Sequence, residues 1–309
     1  MEKRFWRKLA ILHKLEATYA TDAAPAAADA LVAMNVTFTP LEADEVTRDL
    51  MLPYLGSQGV ILAGIYARLE FDIEIAGSGA AGTAPAYGSI LRAAGLAETV
   101  EEDVSVEYSI VETAVESGSI YFVSDKVQHV MLGCQANVSL TFTPKGIPRF
   151  RFTVLGLLGT ITDIVAMPAV SMVGWETPLT VSKANTTMSL HGWASIAESL
   201  TVDLGNTLTP RFLIGEEEIL ISNRQSTGTA VVVAGSLATV NWFDRAIERT
   251  RGGLALTHGT QAGNIVEIAA PAVEVGRPTQ GQTDGVSNYT LPLMLCPVTG
   301  LDELVITVR

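Results

Sequence analysis

The chain has 309 residues, 48% of them hydrophobic and only 17% charged, against about 25% charged in a typical soluble protein. A formal net charge of −13 argues against a protein that grips nucleic acid through its phosphates, which requires a basic surface. Two cysteines, Cys134 and Cys296, exclude a disulfide framework and fit small buried hydrophobes in a reducing compartment.

Mean hydropathy is +0.32, yet no run is long and apolar enough to span a bilayer. The nearest candidate, "TVLGLLGTITDIVAMPAVSMVGW", is interrupted by Asp163, Pro168, glycines and threonines. Such a chain is expected to hide apolar surface in an assembly.

In chain order, residues 1–14 carry Lys3, Arg4, Arg7, Lys8 and Lys14 against Glu2, a net of +4. We read residues 1–20 as a basic N-terminal arm that reaches an acidic neighbour. Its apolar "LAIL" is too short for a secretion signal. "MNVTFTP" predicts a strand over 34–40, with Met34, Val36 and Phe38 on one face, followed by a polar arm over about 41–64. The strand over 65–76 alternates without a miss: Ile65, Ala67, Leu69, Phe71, Ile73 and Ile75 face one way, and Tyr66, Arg68, Glu70, Asp72 and Glu74 the other.

That strand runs into "AGSGAAGTAPAYG", a literal G-x-G-x-x-G at Gly77, Gly79 and Gly82. A dinucleotide loop would need a buried parallel strand before it, which reads as continuously apolar. Strict alternation marks a half-exposed antiparallel strand instead, so the glycines serve a turn. Tyr87, Ile90, Leu91 and Ala94 then predict a helix within 85–95 that Gly95 ends. "QANVSLTFTP" and "PRFRFTVLGL" alternate around "KGI" and predict an antiparallel hairpin closed between Pro144 and Pro148.

Broken periodicity over 161–178 marks a join. After it the order repeats: a strand (199–204), a polar arm (about 205–228), a strand (229–234), a helix (240–251) capped by Asn241, then further strands. We therefore expect two tandem domains, 21–165 and 166–309. Each is mainly β, sandwich- or barrel-like, with one packed helix.

Chemistry-bearing patterns are absent. His13, His129, His191 and His258 stand alone, and neither H-E-x-x-H, C-x-x-C nor G-x-S-x-G occurs. Glu216, Glu217 and Glu218 lack the spacing of a calcium loop and read as a solvated acidic edge. No enzyme activity, cofactor or metal is expected. "NVT", "NVS", "NTT" and "NYT" match glycosylation acceptors without an export signal to use them.

A set of motifs, in order along the chain, carries more. "LEATYATDAAPAAADAL", "FTPLEADEVTRDLMLPYLGSQ", "DIEIAGSGAAGTAPAYGSILRAAGL", "PLTVSKANTTMSLHGW", "ESLTVDLGN", "GEEEILISNRQSTG" and "LTHGTQAGNIVEI" closely resemble the major tail tube proteins of long-tailed, siphovirus-type bacteriophages. The two-half plan resembles members whose chain carries a duplicated tube unit. The resemblance runs from about residue 8 to the C-terminus and leaves out the leader 1–8.

It implies a virion protein, assembled in the host bacterial cytoplasm, that forms rings stacked into a hollow tube. The inner strands of such rings join into one continuous barrel, leaving no exposed edge. The partners implied are other copies of the chain and the tail-tip, tape-measure and tail-terminator proteins. DNA passes through an acidic lumen that repels phosphates rather than binding them. With a duplicated unit, three chains give a trimeric ring of pseudo-sixfold symmetry, with a hexamer as the alternative.

Arg68, Glu70, Asp72 and Glu74 are the candidate lumen lining, unless that face is simply the outer solvated surface. Glu42, Asp44, Glu45, Arg48 and Asp49, with Glu216, Glu217, Glu218 and Arg224, are the candidate ring-to-ring contacts. Two alternatives share part of this reading: the tube of a contractile or secretion-like apparatus, and a tail-tip carbohydrate-binding β module. The second would need clustered exposed aromatics, whereas aromatics make up only 6%.

Overall fold

The strand predicted over 65–76 starts earlier: it runs Val60–Glu74, its first four residues exposed, and pairs antiparallel with Ala33–Thr47. The predicted polar arm is therefore half strand, at both its ends, with a loop over 48–59. In the computed structural model, which describes residues 3–309, the partner strand Ala33–Thr47 is irregular. Asn35 takes a left-handed φ of 51° and the register shifts between Met34 and Thr37. This bulge interrupts the simple Met34, Val36, Phe38 face, as an extra residue in one strand must.

The expected hairpin is longer than its alternating core. Val127–Phe142 pairs with Arg149–Asp163, and the latter also pairs with Val60–Glu74. Both helices are short: Gly88–Ala93 and Trp242–Ile247. The second is capped as expected, with the Asn241 side chain accepting from the N–H groups of Phe243 and Asp244, which satisfies donors that have no intrahelical partner.

The second half repeats the plan with one long, bent hairpin in place of the second polar arm. Its inner part pairs Ala197–Asp203 with Thr227–Val233. Its outer part pairs Asn206–Leu213 with Glu216–Arg224. Thr227–Val233 then pairs with Val286–Cys296, and that strand with Thr279–Thr283.

The halves are joined strand to strand, because Val127–Phe142 pairs with Ala197–Asp203. A continuous ladder results, running from Ala33–Thr47 through Val60–Glu74, Arg149–Asp163, Val127–Phe142, Ala197–Asp203, Thr227–Val233 and Val286–Cys296 to Thr279–Thr283. Each half gives four strands. A second layer, Leu96–Glu101, Ser105–Ile110, Val305–Val308, Val266–Val275, Arg251–His258 and Thr186–Leu190, also crosses between the halves.

One hydrophobic core holds residues of both layers, both halves and both helices. Cross-strand partners Phe71 and Phe152 stack at 5.5 Å, an arrangement worth about 1 kcal/mol beyond simple burial. Trp242, Tyr87 and Tyr108 are the largest fully buried side chains.

The leader does not stand free. Leu9–Leu15 pairs with Gly118–Ser124 across its whole length, so the segment read as an arm contains an integral strand. Ahead of it, Arg4 donates to the Ser124 carbonyl at 3.1 Å, the Phe5 N–H to Asp125 at 2.9 Å, and Lys8 lies 3.8 Å from the same carboxylate. The acidic neighbour that the basic leader meets is Asp125 of its own chain. Lys3 and Arg7 are exposed.

Candidate functional site

The eight-strand ladder has two unlike faces, because its register puts like residues opposite one another. Ala67, Leu69, Phe71, Phe150, Phe152, Val138, Leu140, Leu200 and Ala230 are buried in the core. The other face carries Arg68, Glu70, Asp72 and Glu74 on one strand and Arg149, Arg151 and Thr153 beside them. It continues through Asn137, Ser139 and Thr141 to Thr201, Asp203, Thr227 and Thr229. In the second half this face carries Thr201, Thr227, Thr229, Thr290, Thr279 and Thr283, interspersed with Val231, Pro292 and Met294.

The charges on this face compensate one another. Arg151 sits 2.6 Å from Glu70 and 2.8 Å from Asp72, and Arg68 closes on the other oxygen of Glu70 at 2.5 Å. The Asn35 amide, carried by the bulge, donates to Asp72 at 2.7 Å. Partial burial raises the Glu70 pKa, but hydrogen bonds from Arg151 and Arg68 outweigh it and hold the carboxyl below its usual range. Asp203 accepts from Asn137 at 2.9 Å, a clip across the ladder between the halves.

The four predicted lining residues thus share one strand face. Beside them lie Arg149 and Arg151 of the neighbouring strand, so with Arg68 the face carries three arginines against four carboxylates, counting Asp203. The alternation of Phe150, Phe152 and Val154 already placed Arg149 and Arg151 on the opposite face. Only the pairing of that strand with Val60–Glu74 shows them beside Glu70 and Asp72.

The second predicted group divides. Glu42, Asp44 and Glu45 lie on the outer part of Ala33–Thr47, and Arg48 and Asp49 start the loop after it; all but the half-buried Glu42 are exposed. Glu216 and Glu217 are exposed at the tip of the second-half hairpin. Glu218 is half-buried and pairs with Arg211 at 3.2 Å. Arg224 differs from the rest: its side chain is only 12% exposed and pairs with Glu303 at 2.8 Å and Glu112 at 3.4 Å. It fastens the hairpin base to the body and presents no charge outward.

The hairpin Asn206–Arg224 lies on the first half. The Tyr19 hydroxyl accepts from the Ile219 N–H at 2.6 Å, and partial burial pushes the Tyr19 pKa up to about 12. Asn206 donates to the carbonyls of Ala94 and Ala136 at 2.7 and 3.1 Å. Phe212 packs near Tyr66 and under Gly64. No sequence pattern marked Tyr19 or Asn206, since their partners lie more than 60 residues away.

The glycine loop turns as expected and also docks. Gly79 and Gly82 have φ of 89° and 69°, values that suit glycine. The Gly77 N–H donates to the Asn264 side chain at 2.7 Å, and the Gly79 N–H to the Gly263 carbonyl at 2.9 Å. "SGAAG" and "TQAGN", one from each half, thereby close on each other.

Among the described residues no cluster of three or more His, Cys, Asp or Glu could hold a metal, and no helix is long and apolar enough to cross a membrane. The histidines have local partners: His13 faces Ser89 Oγ at 2.9 Å, His258 faces Thr186 Oγ1 at 2.8 Å, His191 faces the Val273 carbonyl at 2.7 Å, and His129 packs edge-on to Phe38.

The ladder thus has one polar and one apolar face, and each of its two outer strands pairs on one side. The family model for phage tail tube proteins matches residues 6–294. The chain belongs to that family. No curated protein matches it closely. As a phage tail tube protein it is a structural component of the virion tail, and membership implies self-assembly into a tube. The family is structural rather than enzymatic.

Proposed function

We propose that the chain is the major tube subunit of a long, siphovirus-type tail. Three copies form a ring of pseudo-sixfold symmetry, and rings stack head to tail into a duct for genomic DNA. The observation that carries this reading is the eight-strand ladder: two four-strand halves, joined edge to edge, polar on one face and apolar on the other. Sheet closure around a ring would remove the remaining edges.

The polar face lines the lumen. Its charge is weakly acidic rather than strongly so, because Arg68 and Arg151 neutralise Glu70 and Asp72. Hydroxyls and the paired Arg68 and Arg151 offer passing phosphates little to hold, and Arg149 is the one arginine of this face without an ion pair among the described residues. Glu42, Asp44, Glu45, Arg48 and Asp49 on the first arm, with Glu216 and Glu217 on the second, meet the next ring. Assembly takes place in the host cytoplasm, and the tail-tip, tape-measure and tail-terminator proteins set where the tube starts, how long it grows and where it stops.

The test is electron microscopy of the concentrated protein, alone and with tail-tip complex. Hollow tubes with three chains per ring are expected. Six chains per ring would overturn the duplicated-unit stoichiometry. Failure to polymerise even on a tail tip would overturn the reading itself, and a tube with Glu70, Asp72 and Glu74 pointing outward would remove the lining assignment.

A further inference from the structure

The base of the second-half hairpin carries a charge that the chain does not neutralise. Beside it opens a cavity of about 520 Å3. The cavity lies between the end of strand Glu216–Arg224, the end of strand Val286–Cys296 and the loop over 297–303. Glu112 stands exposed at its mouth.

Two carboxylates and one guanidinium border this space. Arg224 donates from Nε to Glu303 Oε1 at 2.8 Å and reaches Glu112 Oε1 at 3.4 Å. Glu303 is only 7% exposed, and its second oxygen, Oε2, is buried with no hydrogen-bond partner among the described residues. The cavity therefore holds two negative charges against one positive. Arg249 and Arg251 share Glu274 instead and do not border it.

A buried carboxylate oxygen without a donor is costly, because it has given up water and gained nothing. The site lacks one positive charge with an N–H to give. A metal ion fits poorly: no group of three His, Cys, Asp or Glu forms among the described residues, and the guanidinium repels a second hard cation. The walls narrow the chemistry further. Met294, Leu295 and Leu301 line the cavity, so a cation carried on a short aliphatic stem can bury that stem, as lysine stems do on protein surfaces.

We infer that this cavity binds a primary alkylammonium ion. The ammonium donates to Glu303 Oε2 beside Arg224, and the stem lies against Met294 and Leu301. One such ion balances the charge of the site and gives the orphaned oxygen its donor. Binding braces the Arg224 contact that fastens the hairpin base, so the ligand adds to the stability of the folded chain. The site lies within a single chain and does not depend on ring or tube formation.

The test is urea unfolding of unassembled protein at pH 7 in n-butylammonium chloride. Sodium chloride, 1-butanol and tetramethylammonium chloride at equal concentration are the controls: charge alone, stem alone, and a cation with no N–H. So small a ligand with one partly desolvated ion pair should bind with a Kd of about 1 mM. About 10 mM butylammonium should then lower the unfolding constant about tenfold, and no control should change it by more than about twofold. Glu303→Gln keeps a carbonyl oxygen for Arg224 but replaces the orphaned acceptor with an amide donor, so the effect should vanish in that variant. Butylammonium that stabilises Glu303→Gln as much as the unsubstituted protein, or stabilises the latter no more than sodium chloride does, would overturn the site. If Glu303→Gln does not fold, the methyl resonances of Met294 and Leu301 in the unsubstituted protein decide. Shifts that saturate with butylammonium support the site, and methyls that do not move overturn it.

Discussion

Asn206 offers the sharpest test of how the second-half hairpin is held. Its side chain is 9% exposed and donates to two carbonyls, Ala94 at 2.7 Å and Ala136 at 3.1 Å. Its N–H donates to Asn137 Oδ1 at 2.9 Å and survives substitution. Asn206→Ala therefore deletes two donors and leaves two acceptors without them. A buried group left unsatisfied costs about 1–3 kcal/mol, and because a carbonyl tolerates losing one of its partners we expect about 2–4 kcal/mol in total. For 309 residues the unfolding entropy is about 0.6 kcal/mol per kelvin, so the melting temperature should drop by about 3–6 °C.

Asn206→Asp should be worse at neutral pH, since a carboxylate has the same shape but faces two carbonyl oxygens. Acidification should recover part of that loss by restoring one donor. The assay is urea and thermal unfolding of unassembled protein at pH 7 and pH 5. A loss below about 0.5 kcal/mol for Asn206→Ala, within the range of ordinary surface changes, would refute the claim that these bonds anchor the hairpin.

Other outcomes follow from the same geometry. His13 is fully buried, and desolvation lowers its pKa to about 3, so the unfolded chain takes up a proton that the folded chain refuses. Stability should be complete above pH 6.5 and fall as pH drops towards 3, by up to about 1.4 kcal/mol per pH unit; unfolding titrations in which His13→Gln leaves that slope unchanged would contradict this. A Cβ at Gly77 would collide with the Gly263 carbonyl, so Gly77→Ala should cost about 1–3 kcal/mol by overpacking. Gly235→Ala, with nothing nearby, should cost nothing, and equal urea midpoints for the two variants would be the contrary result. Glu216→Lys with Glu217→Lys should stop tube growth while leaving rings and monomer stability intact, as seen by microscopy and melting; normal tubes would remove the hairpin tip from the stacking contact.

The short-range features were legible and the long-range ones were not. Alternation over residues 65–75 gave a strand and its two faces, since a period of two is local. Asn241, as its cap, announced the second helix. The polar arms, by contrast, hold strands whose hydrophobic pattern is weak because they stand away from the core, so their pairing was not legible. Leu9–Leu15 looked like leader because its charged flanks hid a strand that only pairing with Gly118–Ser124 stabilises. The polar face was half read: its carboxylates lie on one segment, but Arg151 comes from a strand about 80 residues on. Arg224 looked like part of a charged tip because its sequence neighbours are there, whereas a nine-residue strand carries it back to Glu303.

The ladder between Val127–Phe142 and Ala197–Asp203 exists as soon as one chain folds, at any dilution. A contact between separate copies must instead be recovered from solution each time, against lost translational and rotational freedom. In the proposed ring every second junction is intramolecular, with an effective concentration set by the connecting segment rather than by the number of molecules in the cell. Damage at the two kinds of junction therefore has different symptoms. A fault in the covalently held one appears as a less stable monomer. A fault in the other leaves the monomer sound and raises the concentration at which polymer first appears.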